Sequence, residues 1–104
     1  MTAGPVLDSA KLVANRLNRL DCPYAFCGAL AVAFYAEPRA TKDLDIVIAS
    51  ETYLPAIDAA LAEDGWFTAS QAIDFPSGIR LHRRLRQAGQ QLIVLDLLLP
   101  PASL

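Results

Sequence analysis

Apolar side chains recur every three or four positions near the start of the chain. In SAKLVANRLNRL, residues 9–20, polar residues lie between the members of this stripe, which are Ala10, Val13, Leu17 and Leu20. That spacing is typical of an amphipathic helix. Asp8 or Ser9 suits its N-cap, and Pro23 stops it because proline cannot continue a helix. The pattern therefore predicts a first helix that begins at residue 8 or 9.

The next segment changes from the helical period to short apolar runs. YAFC, residues 24–27, is brief, apolar and aromatic, and residues 44–48 are apolar apart from one acid. Both runs are typical of buried strands. Between them Gly28 opens ALAVAFYA, residues 29–36, which predicts a short buried helix.

A third helix is predicted after the second strand. Ser50 suits its N-cap, and Gly65 is a natural residue just beyond its end. The inward stripe of this helix consists of Tyr53, Leu54, Ile57 and Leu61.

The last third of the chain favours strands. Residues 66–67 start one, residues 70–78 contain Pro, Ser and Gly and indicate a connection, and residues 87–90 form a turn before the apolar strand 91–99. Residues 79–86 alternate loosely, with one face formed by Ile79, Leu81 and Leu85. Helices mixed with strands, some joined by tight turns, predict an α/β (α+β) fold with a mixed β-sheet of about four to five strands backed by helices.

Composition adds limits to this picture. The 104 residues are 54% hydrophobic and 19% charged, which fits one globular domain, residues 1–104, with a single core. No apolar run reaches the roughly 18 residues of a membrane-spanning helix, and the N-terminus lacks the basic head and apolar stretch of a secretion signal. We therefore expect a cytoplasmic protein without membrane contact, in which Cys22 and Cys27 are two buried free thiols.

The charge distribution has one local exception. A net charge of −2 argues against a domain that binds nucleic-acid backbone over its whole surface. Five basic side chains nevertheless lie within seven positions: Arg80, His82, Arg83, Arg84 and Arg86. They form either the solvated face of an edge strand or a local binding patch. His82 is expected on the outward face, without a catalytic role.

Two aspartates interrupt the second strand. Because side chains alternate along a strand, Asp43, Asp45 and Val47 share one face, and the two aspartate Cα atoms lie about 7 Å apart. Like charges at that range raise each other's pKa unless a cation lies between them, and carboxylate oxygens suit Mg²⁺ or Mn²⁺. By itself the pair is also typical of a strand end where water or arginine satisfies the acids.

A third acid, Asp96, lies inside the apolar run LIVLDLLL. An acid in a strand otherwise suited to the core needs a partner there. A salt bridge to one of the arginines would supply it. If strands 44–48 and 92–99 are neighbours, Asp96 instead completes a site of three carboxylates.

Gly28 follows the first strand and precedes the predicted second helix, in the tripeptide Cys27-Gly28-Ala29. Glycine lets the backbone approach a ligand closely, and the N–H groups of a first helical turn bind anions. A simple tight turn explains the glycine equally.

In combination these features resemble the nucleotidyltransferase superfamily that includes DNA polymerase beta. The likeness is carried by YAFCGALAVAFYAEPRATKDLDIVI, residues 24–48, and by the later IVLDLLL, residues 93–99. The family signature is an apolar residue, Gly, and Gly or Ser, then acid-apolar-acid at a strand end and a third acid on a later strand. Residues 38–42 are similar to the minimal prokaryotic branch and the abortive-infection toxin nucleotidyltransferases.

The resemblance implies a catalytic and metal-binding role for Asp43, Asp45 and Asp96. They would hold Mg²⁺ (or Mn²⁺) on a nucleoside triphosphate, and a nucleoside monophosphate would move to a hydroxyl of an RNA, protein or small-molecule acceptor. Asp96 would also assist deprotonation of that hydroxyl.

The resemblance also implies a nucleotide-binding role for four other residues. Gly28 and Ala29 would offer backbone N–H groups to the β- and γ-phosphates, although Ala29 stands where the family has Gly or Ser. Arg39 and Lys42 lie close enough in sequence to the acids to bind phosphate. Surface ion pairs are the other interpretation of these two residues.

The implied partners are a cognate toxin or antitoxin protein, an RNA acceptor and a second copy of the chain. Relatives normally continue into further helices beyond the position of Leu104. The alternative to an enzyme is therefore a non-catalytic nucleotide- or metal-binding regulatory or partner-binding domain. A structural domain with vestigial acids is a third hypothesis.

Overall fold

The computed structural model describes residues 4–27 and 43–101, and these form two helices and six strands. The helices are α1 (Gly4–Arg19) and α2 (Leu54–Glu63), and a 3-10 turn, Glu51–Tyr53, precedes α2. The strands are β1 (Tyr24–Cys27), β2 (Asp43–Ile48), β3 (Phe67–Thr68), β4 (Ile73–Asp74), β5 (Arg80–Ala88) and β6 (Gln91–Leu99). The predicted helix 29–36 lies outside the described residues. Among those residues, neither helix is long and apolar enough to cross a membrane.

The six strands form one mixed sheet, in the order β1-β2-β6-β5-β3, and β4 also pairs with β5. β2 and β6 are parallel, and every other pairing is antiparallel. The α+β class and the mixed sheet are confirmed. The sheet has one strand more than expected because Ile73–Asp74, inside the predicted connection 70–78, pairs with β5.

The core lies between the helices and one face of the sheet. Strand alternation turns every second residue of β2 and β6 toward α1 and α2, and from Leu44 in β2 and Ile93 in β6 onward these residues are all apolar. The core side chains of the helices and central strands are Ala10, Val13, Leu17, Leu44, Ile46, Ile48, Ile57, Leu61, Ile93, Leu95, Leu97 and Leu99. The remaining residues of β2 and β6, including all three candidate acids, therefore point to the opposite side, which we call the distal face.

Helix α1 begins at Gly4, so the expectation of a start at residue 8 or 9 is wrong. Pro5 fits the first turn, where its missing N–H has no helical partner in any case. Val6 packs against the core, and this contact favours an earlier start. Ser9, the expected N-cap, is buried in the helix and accepts a hydrogen bond from Arg86 Nη1 at 2.9 Å.

Both helices end in the same backbone motif. In α1 the N–H of Cys22 donates to the carbonyl of Leu17, and Asp21 adopts a left-handed conformation with φ of 54°. In α2 the N–H of Trp66 donates to Leu61, and Gly65 is left-handed. These 6→1 hydrogen bonds are those of a Schellman motif. The prediction that Gly65 ends its helix is confirmed.

Strand β5 is an interior strand, so the expectation of a solvated edge strand is wrong. β6 pairs along one side of it, and β3 and β4 pair along the other. Arg84 and Arg86 lie opposite Leu95 and Ile93 of β6. Since Leu95 and Ile93 face the helices, these two arginines do so as well.

Basic side chains of β5 connect the sheet to the two helices and to the 3-10 turn that precedes α2. Arg84 donates to both oxygens of Asp58 on α2, at 2.8 and 3.0 Å. Arg86 donates to the Ser9 hydroxyl on α1. His82 lies on the same side, 3.4 Å from a carboxylate oxygen of the 3-10 turn, so its expected outward position is also wrong. Most of the basic cluster is therefore structural.

Candidate functional site

The acidic pair lies where alternation predicted. Leu44, Ile46 and Ile48 of β2 are buried on the helix side. Asp43, Asp45 and Val47 lie on the distal face. Asp43 is exposed and Asp45 is half-buried. The second acid therefore experiences more of its neighbours' charge and less water.

Asp96 is the direct neighbour of Asp45. β2 and β6 are adjacent and parallel, and their register pairs Asp45 with Asp96. Adjacent strands lie about 4.8 Å apart, so two ionised carboxylates on one face at this register repel each other. The condition set by the sequence, that strands 44–48 and 92–99 are neighbours, is met.

The pKa of Asp45 is raised from its ordinary value of 3.8. Burial is the largest cause, because the charged form loses water, and the charges of Asp96 and Asp43 add to it. The nearby Arg83 guanidinium works in the opposite direction. Burial, and after it the two neighbouring acids, therefore disfavour the ionised form of Asp45.

Arg83 is the ion-pair partner of Asp96. The two residues are opposite each other in the β5–β6 pairing. Arg83 Nε and Nη2 donate to the two Asp96 carboxylate oxygens at 2.8 and 3.0 Å. The Asp96 side chain is 9% exposed and that of Arg83 is 44% exposed. Both interpretations of Asp96 thus have a counterpart in the structure: Asp96 forms a salt bridge with an arginine, and it is the neighbour of Asp45 on the adjacent strand.

Asp45, Asp96 and Arg83 form a line across three strands, which we call the charged row. Cys27 extends it on β1, where it pairs with Asp45 and its Sγ donates to the Asp45 backbone carbonyl at 3.5 Å. Burial, followed by the charge of Asp45, raises the pKa of the Cys27 thiol. Both cysteines are free, but only Cys22 is buried and Cys27 is half-buried, so the expectation of two buried thiols is wrong for Cys27. Cys27 is therefore a neutral neighbour of the acids.

The carboxylates suit a hard divalent cation in kind, because Mg²⁺ and Mn²⁺ prefer oxygen ligands. Crowding also favours a cation, since the pKa of Asp45 is raised by two other acids. Arg83, however, holds both oxygens of Asp96. In the part of the chain that the structure describes, no three His, Cys, Asp or Glu side chains are arranged to hold a metal ion. A cation that binds all three acids therefore competes with Arg83 for the oxygens of Asp96.

The four predicted nucleotide-binding residues lie outside the described residues. Gly28, Ala29, Arg39 and Lys42 belong to the segment between β1 and β2. Their roles stay predictions.

Arg83 is the site residue that sequence reasoning did not single out. A salt bridge to one arginine was one of two interpretations of Asp96, but five basic residues within seven positions did not show which one. The choice depends on the β5–β6 register, which places Arg83 on the distal face and its two neighbours on the helix side. Alternation counted from Leu81 and Leu85 places Arg83 on a different face from the other four basic residues, but it does not give the register that sets Arg83 opposite Asp96.

Comparison with known proteins gives a fold and no family. No protein-family model matches the chain, and no curated protein matches it. The crystal structure of JHP933 from Helicobacter pylori is similar, with a TM-score of 0.53 and 17% sequence identity, over 100% of this chain and 47% of that one. The chain thus spans about half the length of JHP933. The likeness is one of fold.

Proposed function

We propose that this protein is a metal-dependent nucleotidyltransferase, which moves a nucleoside monophosphate from a nucleoside triphosphate to a hydroxyl of an RNA, protein or small-molecule acceptor. The observation that carries the proposal is the parallel register that pairs Asp45 with Asp96. With Asp43 on the same face of β2, three acids from two distant segments share one side of the sheet. An ordinary fold would separate such charges, so their proximity supports a role in binding cations.

In this proposal Asp43, Asp45 and Asp96 hold Mg²⁺, or Mn²⁺ in its place. A metal held by these residues would supply charge neutralisation on the triphosphate and on the attacking and leaving oxygens. The Arg83 guanidinium leaves Asp96 when the cation binds and is then available to the phosphates. The N–H groups of Gly28 and Ala29, with Arg39 and Lys42, contribute to the same phosphate site.

The reaction that these residues serve is a simple displacement. The acceptor oxygen bonds to the α-phosphorus, the bond from that phosphorus to the bridging oxygen breaks, and pyrophosphate leaves. A carboxylate accepts the proton of the acceptor hydroxyl, and we assign this step to Asp96. In a prokaryotic toxin–antitoxin pair, the acceptor would be an RNA or a protein.

The second candidate is a non-catalytic nucleotide- or metal-binding regulatory domain. The Arg83–Asp96 ion pair favours it, because the third acid is already neutralised by a side chain of the same chain. Such a domain retains binding through Asp43 and Asp45 without transferring anything. Turnover is therefore the property that separates the two candidates.

The first experiment compares thermal melts of the wild type and Asp45→Asn with and without millimolar Mg²⁺. Without metal, Asp45→Asn should melt higher, because the substitution removes repulsion. The raised pKa of Asp45 predicts how this effect depends on pH. Ionised Asp45 lowers the free energy of unfolding, and this loss develops as the pH rises from 3.8 through the raised pKa. The gain of Asp45→Asn should thus vanish below pH 4. Mg²⁺ that binds only the folded wild type should add about 2.7 kcal/mol at 100 times its Kd.

Asp74→Asn is the matched control for the melts. Asp74 is also an aspartate on a strand, but it pairs with Arg80 at 2.6 Å on the helix side. Its substitution should leave the response to Mg²⁺ intact. If Asp45→Asn melts lower than the wild type and neither protein responds to Mg²⁺, the acids are structural and the proposal is wrong.

Turnover is tested with a nucleoside triphosphate labelled at the α-phosphate. Label should pass to an acceptor RNA or protein in the presence of Mg²⁺, and label at the γ-phosphate should not. Asp43→Asn, Asp45→Asn and Asp96→Asn should each lower the rate by more than about 100-fold, since even changes beside a metal ligand cost 10–100-fold. Binding of nucleotide without transfer of label would favour the regulatory domain.

A further inference from the structure

An apolar groove of about 410 Å³ opens on the distal face. Ser77 is the one polar residue among its described lining, whose principal side chains are Val47, Phe75, Ile79, Leu81, Leu98 and Pro101. Small-molecule sites in proteins have volumes of about 300–1,000 Å³ and mostly apolar walls. The groove therefore has the size and character of a ligand site.

The floor of the groove is a line of apolar residues directly beside the charged row. Val47 pairs with Leu98 across β2 and β6, and Leu98 pairs with Leu81 across β6 and β5. On its own strand, each of these three residues lies two positions from a member of the charged row. Since residues two apart share a strand face at a distance of about 7 Å, the two rows are neighbours along their whole width.

The far wall of the groove is held in place by the backbone. The N–H of Phe75 donates to the carbonyl of Ile79, and the N–H of Gly78 donates to Phe75, both at 2.9 Å. A Cβ at Gly78 would lie 3.1 Å from Pro101, and Gly78 has a φ of +92°. The turn thus packs closely on Pro101, and Phe75, which is 43% exposed, lines the groove.

The ligand must match both rows at once. The apolar row and Phe75 suit a flat aromatic ring, and the charged row beside them suits phosphates that carry a divalent cation. A nucleotide joins a ring and phosphates through one sugar, and this spacing fits rows about 7 Å apart. We propose that the groove binds the base of the nucleoside triphosphate. This inference rests on the proposed function and specifies where the base binds.

The chemistry of the lining predicts weak base selectivity. A groove with almost no hydrogen-bonding groups recognises a ring by contact area and stacking, and every base offers a flat face. Purines should bind more tightly than pyrimidines because they bury more surface. Adenine and guanine should differ little.

The test uses adenosine, which has the ring and no phosphate, and amide chemical shifts of the full chain recorded by NMR. Adenosine should shift the amides of Val47, Leu81 and Leu98 saturably, without Mg²⁺. Phe75→Ala should weaken the binding of adenosine about 5- to 150-fold, the range for loss of one base–aromatic contact. Phe67→Ala is the matched control, because Phe67 is 49% exposed and pairs with Leu85 on the distal face but does not line the groove.

Asp45→Asn separates this inference from the proposed function. The variant should bind adenosine like the wild type and lose the gain in ATP affinity that Mg²⁺ provides. If Mg²⁺ raises ATP affinity but adenosine shifts no groove amide, or if Phe67→Ala weakens binding as much as Phe75→Ala, the groove is not the base site and the proposed function stands. If adenosine binds but Mg²⁺ has no effect on ATP, the transferase proposal fails alone. Groove amides that shift on dilution of the free protein would show that a second copy covers the groove, which overturns the inference.

Discussion

At the scale of single residues, Asp96 is the acid whose surroundings decide how the site works. It is buried, it lies beside Asp45, and Arg83 holds both of its oxygens. A buried carboxylate without a partner would be costly, and a cation that binds all three acids would compete with the arginine for Asp96. In the proposed function the ion pair would therefore stabilise the metal-free protein and compete with the cation.

Arg83→Met should show both effects of the ion pair. The substitution removes the hydrogen bonds to Asp96 and keeps a long side chain, so the free energy of unfolding without metal should fall by about 1–3 kcal/mol. The stabilisation by Mg²⁺ should increase, because the cation no longer competes with a guanidinium. Denaturant unfolding at several Mg²⁺ concentrations measures both quantities.

A smaller response to Mg²⁺ in Arg83→Met than in the wild type would contradict this reasoning. It would mean that the arginine assists the cation site. Arg83→Lys, which keeps the charge but loses the two parallel hydrogen bonds, should give an intermediate result.

The sequence could place the acids but not their partner. Periodicity alone predicts that Asp43 and Asp45 share a face, and both are found on the distal face. The partner of Asp96 depends on the register of the β5–β6 hairpin, whose turn at residues 89–90 pairs Ala88 with Gln91 and so brings Arg83 opposite Asp96. Single-residue alternation cannot supply a register between two strands.

At the scale of elements, helices and strands were predictable where one face is apolar. The core stripe of α1 and the apolar run of β6 are found as expected. β5 was misjudged because its helix-facing positions are arginines, which a hydrophobic pattern assigns to solvent. Their charges are tolerated because Asp58, the carbonyl of Asp64 and Ser9 accept their hydrogen bonds. Polar contacts between layers leave no periodic signal in a sequence.

Two arginines on the same face of β5 offer a matched test of these contacts. The Arg84 side chain is 8% exposed and bonds Asp58 twice, whereas the Arg80 side chain is 44% exposed. Arg84→Met should lower the free energy of unfolding by about 1.5–3 kcal/mol, as expected for buried hydrogen bonds to a charged group. Arg80→Met should cost less, because water screens an exposed ion pair.

Denaturant unfolding of the two variants under the same conditions measures the difference. Equal losses would contradict the assignment of Arg84 as the main attachment between β5 and α2. Asp58→Asn should weaken the same contact and add little to Arg84→Met in the double variant.

At the scale of the whole molecule, ion pairs between elements link stability to pH. Arg16 on α1 donates to both oxygens of Asp64 at the end of α2, at 3.0 Å each. These hydrogen bonds lower the pKa of Asp64 below its ordinary value of 3.8. A lowered carboxyl pKa contributes stability above the unfolded value, and that stability is lost as the pH falls through the folded value.

Acid titration of stability should reveal this link. The wild type should lose stability steeply below about pH 4, and Arg16→Met should lose less over the same range, because Asp64 then lacks the largest cause of its lowered pKa. Thermal melts between pH 2 and pH 6 measure the two slopes, with about pH 4 as the expected onset. Parallel curves would show that the contact between the two helices contributes nothing to acid stability.

The parallel pairing of β2 with β6 has a consequence for how the protein is made. It joins segments about fifty positions apart, and between them lie α2 and three other strands. Closing such a non-local contact is slow compared with forming a helix or hairpin. During synthesis Asp45 has no acidic neighbour on β6 until that strand has emerged, so a partly synthesised chain contains no assembled charged row. The site is absent from every N-terminal fragment that ends before β6.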